Sequence, residues 1–406
     1  MNKKVFFALP FFLSHATFSY AQGQINFYDF MSEVYDKSHL IQSKKLDLDY
    51  EKIESKKADF YYLPKLTASS SYKTNKDNTM YFDSEITAKS TVFTSSLHNK
   101  FNEAYAKINA AELSLNQEKE TLKKTVLENL IALYYYKKLE NNALELKNKA
   151  NDIYNQIERR FDSGVAKISD LEQGRLLKQR LDSDITNIDK EISLLMTNIE
   201  IATGVDFPNN GIKLPEKLFN ELDNGTIADK NIKNNIEYKI LKEKADIELN
   251  NAKQQDTFMN VGLSASQTYH NSERYPDDSY VGVDISLNLF DFDKKTSYKS
   301  GIKKYESVRA NMDYKYKELT AKLSSLKLTF DSNISELKSL KLQQDTLYKI
   351  IQSQLNEYNL AQTSYYEMLN SQYDYFSLDK KITELKINNS ITRINMFQIE
   401  GKVLSI

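Results

Sequence analysis

The sequence predicts a mainly α-helical chain with a transmembrane β-barrel portion: a tandem structural repeat of long coiled-coil helices plus two hairpin-like strand pairs. Three observations predict it. The 406 residues include 10 Gly and 5 Pro, a composition that favours long uninterrupted elements over many short ones. Four landmarks recur at one fixed spacing. Segments of strict apolar–polar alternation occur in both halves, each followed by a long helical pattern.

The repeat comes first, because it frames everything else. Asp59, Leu66, Ala68, Ser69 and Tyr72 of DFYYLPKLTASSSY face Asp256, Leu263, Ala265, Ser266 and Tyr269 of DTFMNVGLSASQTY, an offset of 256 − 59 = 197. Phe93 and Phe290 keep that offset, 290 − 93 = 197. So do two turn strings, FDSGVAKISDLEQGR and YNLAQTSYYEMLNSQ, which set Phe161 against Tyr358, Gly164 against Ala361 and Asp170 against Glu367. Gly204 and Gly401, each closing a helical pattern, complete the set.

Residues 1–21 read as a secretory signal, with Lys3 and Lys4 before the apolar run VFFALPFFL and small residues at Ser19 and Ala21. Its removal takes the formal charge from −1 to −3, since two Lys and no acid are lost. The first repeat then spans 22–206, a linker 207–228 and the second repeat 229–406. No later stretch approaches the roughly 20 apolar residues of a membrane helix, so any crossing must be a closed β-barrel.

Each repeat opens with a helix, about 26–58 and about 229–255. Two strands follow. Val281, Val283, Ile285, Leu287 and Leu289 share one face against Gly282, Asp284, Ser286 and Asn288 on the other. Ile86, Ala88, Ser90 and Val92 repeat the pattern more weakly, as do Leu66, Ala68, Ser70 and Tyr72. Each strand is about 10 residues, the length of a tilted membrane strand. Tyr72, Phe93, Tyr269, Tyr280 and Phe290 stand near strand ends, where an interfacial girdle would lie. A water-exposed β-layer fits the strand pattern equally well.

A helix of about 64 residues comes next, free of Gly and Pro from Leu97 to Arg160 and about 95 Å long. Tyr136, Leu139, Ala143, Leu146, Ala150, Ile153 and Ile157 form a seam stepping by 3 and 4. Beyond the turn, Leu181, Ile185, Ile188, Ile192, Leu195, Ile199 and Ala202 form its partner seam. Such a stripe marks coiled-coil packing.

Four strands cannot close a membrane barrel, whose smallest bacterial form has about eight. Two copies would give eight strands and three would give twelve. A barrel of about eight strands is filled by side chains, so a trimer suits a conduit.

With these features together, the chain resembles the TolC family of outer-membrane efflux and secretion channels. The tandem repeat, the LPKLTASSSY strand opening, the NLFDFDKK strand exit and the two turn strings carry the resemblance over the whole mature sequence. It implies a homotrimer in outer-membrane lipid of Gram-negative cells, with a long periplasmic tunnel. A periplasmic adaptor protein and an inner-membrane transporter would be its partners in multidrug efflux or type I secretion. The helix turns would be the tunnel's inner tips. The family's two lumen-facing acidic positions fall on Glu367 and Asn370, so one acidic ring would remain where two are usual. Its tip latch falls on Asp170 and Tyr358, while the arginine that joins the latch in some members falls on Thr363. The adaptor-docking turns fall on Gly164 and Ala361, the second lacking the usual glycine.

No catalytic chemistry is written in the chain. There is no Cys, and His39, His98 and His270 are too scattered for a metal cluster. Neither a phosphate-binding glycine loop nor a nucleophile elbow occurs. A near-neutral charge points away from nucleic acid, and no cofactor is implied. The alternative from another class is a periplasmic or surface coiled-coil scaffold or adhesin without a pore.

Overall fold

The computed structural model describes residues 24–74, 80–224, 232–271, 276–359 and 365–406. The signal segment expected over 1–21 lies outside them. Strand β1 (Ile25–Asn26) leads into α1 (Phe27–Lys37) and α2 (His39–Asp59). The single helix expected here is therefore two. Ser38 ends the first and caps the second: its backbone N–H reaches Val34 and its hydroxyl faces the Ile41 N–H. A serine side chain that satisfies an orphan helix donor favours a break over continuation.

The strands β2 (Lys65–Thr74) and β3 (Met80–Thr94) precede α3 (Leu97–Asp162), which runs for 66 residues, about 100 Å. Then come α4 (Ile168–Thr203), β4 (Ile212–Lys213) and α5 (Glu216–Asn224). The segment read as a plain linker thus contributes a strand paired in parallel with β1 and a helix lying against the end of the chain. The second unit is α6 (Ile236–Gln255), β5 (Met259–His270), β6 (Asp278–Leu287), α7 (Phe292–Asn359) and α8 (Tyr365–Ile399). The helix expected from about residue 229 starts later, because Asn235 caps it by accepting the Tyr238 N–H at 3.1 Å.

The offset holds in three dimensions. Shifting α3 by 197 gives 294–359 against an observed 292–359, and shifting α4 gives 365–400 against 365–399. The seam is the core. Leu139, Ala143, Ala150 and Ile157 of α3 are buried with Leu181, Ile185, Ile188, Ile192 and Ile199 of α4. Truncating any large member should cost about 2–5 kcal/mol.

The four longer strands form one antiparallel sheet in the order β2-β3-β5-β6. Its register sorts every residue to a face, since directly paired residues point the same way. Leu66 pairs with Ala88, Ala88 with Ala265 and Ala265 with Val281. That face also carries Ile86, Leu263, Val283, Ile285 and Leu287, and it is open: Leu66 is 72 %, Ile285 63 % and Val281 87 % exposed. The opposite face carries Lys73, Asp83, Glu85, Thr87, Lys89, Ser266, His270 and Asp284. Tyr72, Phe82 and Tyr269 gather on the apolar face at one end of the sheet. Tyr280, also near a strand end, pairs with Ser266 and stands on the polar face. No closed barrel forms within the chain; β2 and β6 are edges. No helix among the described residues is long and apolar enough to cross a membrane.

Candidate functional site

The helix tips are built by backbone hydrogen bonds. At the end of α3, Gly164 adopts φ +74°, and its N–H reaches Phe161 O at 2.8 Å while the Val165 N–H reaches Arg160 O at 2.8 Å. This is the paired-bond helix stop that a left-handed glycine permits. The tip that follows presents Val165 and Ile168 to solvent. Asp170 lies in the first turn of α4, half-buried, with the Ser169 hydroxyl 3.4 Å away. Glu367 occupies the matching first turn of α8, exposed, where the helix dipole favours a carboxylate. Asn370 follows three residues later, on the same side of α8, half-buried. Met368 and Leu369, between them, are buried and hold the turn against the bundle. Ala361 and Thr363 lie outside the described residues, as does the side chain of Tyr358 at the end of α7.

Fourteen residues beyond Asp170, α4 carries a tether to α8 that the sequence reading missed. Asp184 accepts the Tyr373 hydroxyl at 3.1 Å and the Lys380 ammonium at 2.7 Å. The Arg180 guanidinium stands 6.0 Å from the Tyr373 ring centre. Burial, then the Asp184 charge, pushes the Tyr373 phenol above its ordinary range. A second cross-link joins α3 to α8, Asn142 Nδ2 to Asp379 Oδ2 at 2.8 Å. The signal was present in position alone. Asp184 adjoins seam residue Ile185, and charges flanking a seam are where coiled-coil helices pair.

On the polar face of the sheet, Asp83 joins three strands. It takes Lys73 Nζ of β2 at 2.8 Å and His270 Nδ1 of β5 at 2.7 Å. Glu85 beside it accepts the Ser266 hydroxyl at 2.8 Å and the Thr87 hydroxyl at 3.0 Å. Among the described residues no group of three His, Asp or Glu could hold a metal ion.

No family model matches the sequence, and no curated protein matches it. Solved structures do match it in three dimensions. The chain superposes on CusC, a protein described as forming a transmembrane channel, with a TM-score of 0.77 at 13% identity over 95% of both chains. The outer membrane protein VceC of Vibrio cholerae gives 0.75 at 12% identity, over 92% of this chain and 95% of that one. The CmeC outer membrane channel of Campylobacter jejuni gives 0.71 at 11% identity, over 99% and 93%. This is the fold of the TolC-type outer-membrane channels. Identity this low carries the architecture and leaves each side-chain role to be argued from this chain.

Proposed function

We propose that the chain is the outer-membrane conduit of a tripartite export system and works as a homotrimer. The observation that carries this reading is the four-stranded sheet, with one apolar exposed face, one polar face and two edge strands. Open edges and exposed aliphatic residues are costly in water. Joining β2 of one copy to β6 of the next satisfies the edges. Three copies give a twelve-stranded barrel whose apolar face meets lipid and whose polar face lines the pore. Helices of about 100 Å then continue the pore as a periplasmic tunnel.

The tips narrow and dock. Three Glu367 carboxylates around one axis would repel one another and concentrate cations, with Asn370 as a neutral second ring. Asp170 and Tyr358 would hold the tips closed. The Gly164 turn, with exposed Val165 and Ile168, would seat the periplasmic adaptor, and the Ala361 turn would form the second, altered seat. The conduit performs no chemistry. An inner-membrane transporter selects the cargo, a small molecule in efflux or a protein in type I secretion, and a signal peptide at 1–21 directs export.

The test is single-channel conductance of the detergent-extracted full chain in a planar bilayer, with crosslinking to count subunits. A crosslinked trimer with small, cation-selective conductance is expected. A monomer that stays in solution without detergent and never inserts would refute the conduit and favour the coiled-coil scaffold.

A further inference from the structure

A cavity of about 730 Å³ opens between α3, α7 and α8, above the tips. That volume suits a drug-sized molecule. Its floor is apolar: Leu146 and Ile153 of α3, Ile351 and Leu355 of α7, Met368 and Phe376 of α8. Ile351, Met368 and Phe376 are buried, so the floor is firm and already paid for by folding. Its walls carry three carboxylates, Glu145, Asp152 and Asp379, against one ammonium, Lys149. Tyr348 and Tyr375 add two phenol rings. The local field is negative: burial, then Asp379 and Asp345, pushes the Tyr375 phenol upward. Gln372, also in the wall, keeps its amide oxygen buried without a hydrogen-bond donor.

We propose that this pocket binds an organic ammonium ion with a flat or elongated apolar body. The body would cover Phe376, Met368 and Ile351, where burial of apolar surface supplies affinity. The charged nitrogen would stay at the rim, near the carboxylates and the phenol faces, which attract cations. An anion of the same shape meets three carboxylates and is rejected. The inference is independent of the conduit reading, because binding is read without transport.

The probe is dansylcadaverine, a fluorescent primary ammonium, titrated against the purified full chain in detergent, with anionic dansylglycine as its counterpart. Saturable enhancement of dansylcadaverine emission is expected, with none for dansylglycine. Glu145 and Asp152 are exposed, so the double variant Glu145→Lys, Asp152→Lys should fold normally and weaken binding about tenfold. Leu355, 37% exposed, lines the pocket edge, and Leu355→Trp should obstruct that edge and weaken binding. Equal binding of the two dyes would overturn the proposal, as would unchanged binding in both variants. Failure of dansylcadaverine to saturate the wild-type protein would overturn it too, including through cover by a neighbouring copy.

Discussion

Replacing Asp184 with Ala should loosen α8 from α4 and raise the resting conductance. Asp184 is the acceptor of both tether bonds, its side chain only 13% exposed, while Lys380 is 33% exposed. A buried ion pair broken on one side costs about 3–5 kcal/mol. Lys380 can swing toward water, which returns part of that cost, and the Tyr373 hydroxyl loses a charge-assisted bond of about 1.5–3 kcal/mol. A net loss of about 2 kcal/mol per protomer is a fair figure after that discount. It shifts a closed–open balance about thirtyfold per protomer. Asp184→Asn keeps the shape and one weaker bond, so it should fall between. The control is Asp182→Ala. Asp182 also makes an ion pair at 2.7 Å, to Lys147, but that bridge lies inside the α3–α4 pair and both partners are well exposed. The assay is single-channel conductance beside thermal melting. Higher conductance for Asp184→Ala, with Asp182→Ala at the wild-type level, is expected. A lowered melting temperature with unchanged conductance would refute the tether as a restraint on opening and leave it a stabilising contact.

Glu367→Gln should abolish block of the conductance by a trivalent cation such as hexaamminecobalt; unchanged block removes Glu367 from the gate. Gly401→Ala should destabilise far more than Gly204→Ala. Both sit at positive φ, +67° and +69°, but a Cβ at 401 would meet the Asn234 carbonyl oxygen at 2.3 Å while 204 has open space. Thermal melting should therefore separate about 1 kcal/mol of backbone strain from a clash worth several; equal losses would show that the end of α8 yields freely. Glu120 is buried on α3 with one carboxylate oxygen unpartnered, and burial, against the pull of Lys124, raises its pKa to about 7. A raised folded-state value means the native protein holds the proton more tightly between about pH 4.5 and 7. Stability contributed there is lost as pH rises through 7, by about 3 kcal/mol at most. Melting should fall from pH 5 to pH 8 in the wild type and fall less in Glu120→Gln; identical profiles would place the titration elsewhere.

The long elements were legible because each rests on a local pattern. The α3 and α4 seams, the absence of Gly and Pro after Leu97, and the stops at Gly164 and Gly204 all act within a few turns of chain. The β6 face was legible because period-two alternation survives even on an edge strand. Ser38 and Asn235 were misread for a shared reason. A polar cap among charged neighbours looks like any solvated helix residue until its side chain is known to turn back on the backbone. The strand-end position of Tyr280 was legible too, and the pairing with Ser266 places its ring on the face that Gly282 and Asp284 share. The Asp184 tether was invisible for a longer-range reason. It joins α4 to α8 across 189 and 196 residues, and no spacing within either helix announces the partner.

The differences between the two repeats mark where the copies stop being interchangeable. The fixed offset of 197 makes the helices nearly equal in length, but the seam differs: Leu139, Leu146 and Ile157 of α3 answer Glu336, Gln343 and Gln354 of α7. At the tips the copies part. Asp170 answers Glu367, one half-buried and the other exposed, and Gly164 answers Ala361. The tether parts them further: Asp184 of copy one holds Tyr373 and Lys380 of copy two, whose counterparts in copy one, Leu176 and Ser183, offer no phenol and no ammonium. At the far end, Gly401 is pressed on Asn234 where Gly204 stands clear. A duplicated unit that needed only length would drift at random on its surface. The asymmetries include the two helix ends and the Asp184–Lys380 contact, which joins the copies as His270–Asp83 does in the sheet. In the proposed conduit, those are the places that would govern how one helix pair moves against the other. If the proposed tunnel opens by loosening one pair against a fixed partner, it needs such an inequality, and Asp184→Ala tests it at the Asp184–Lys380 bond.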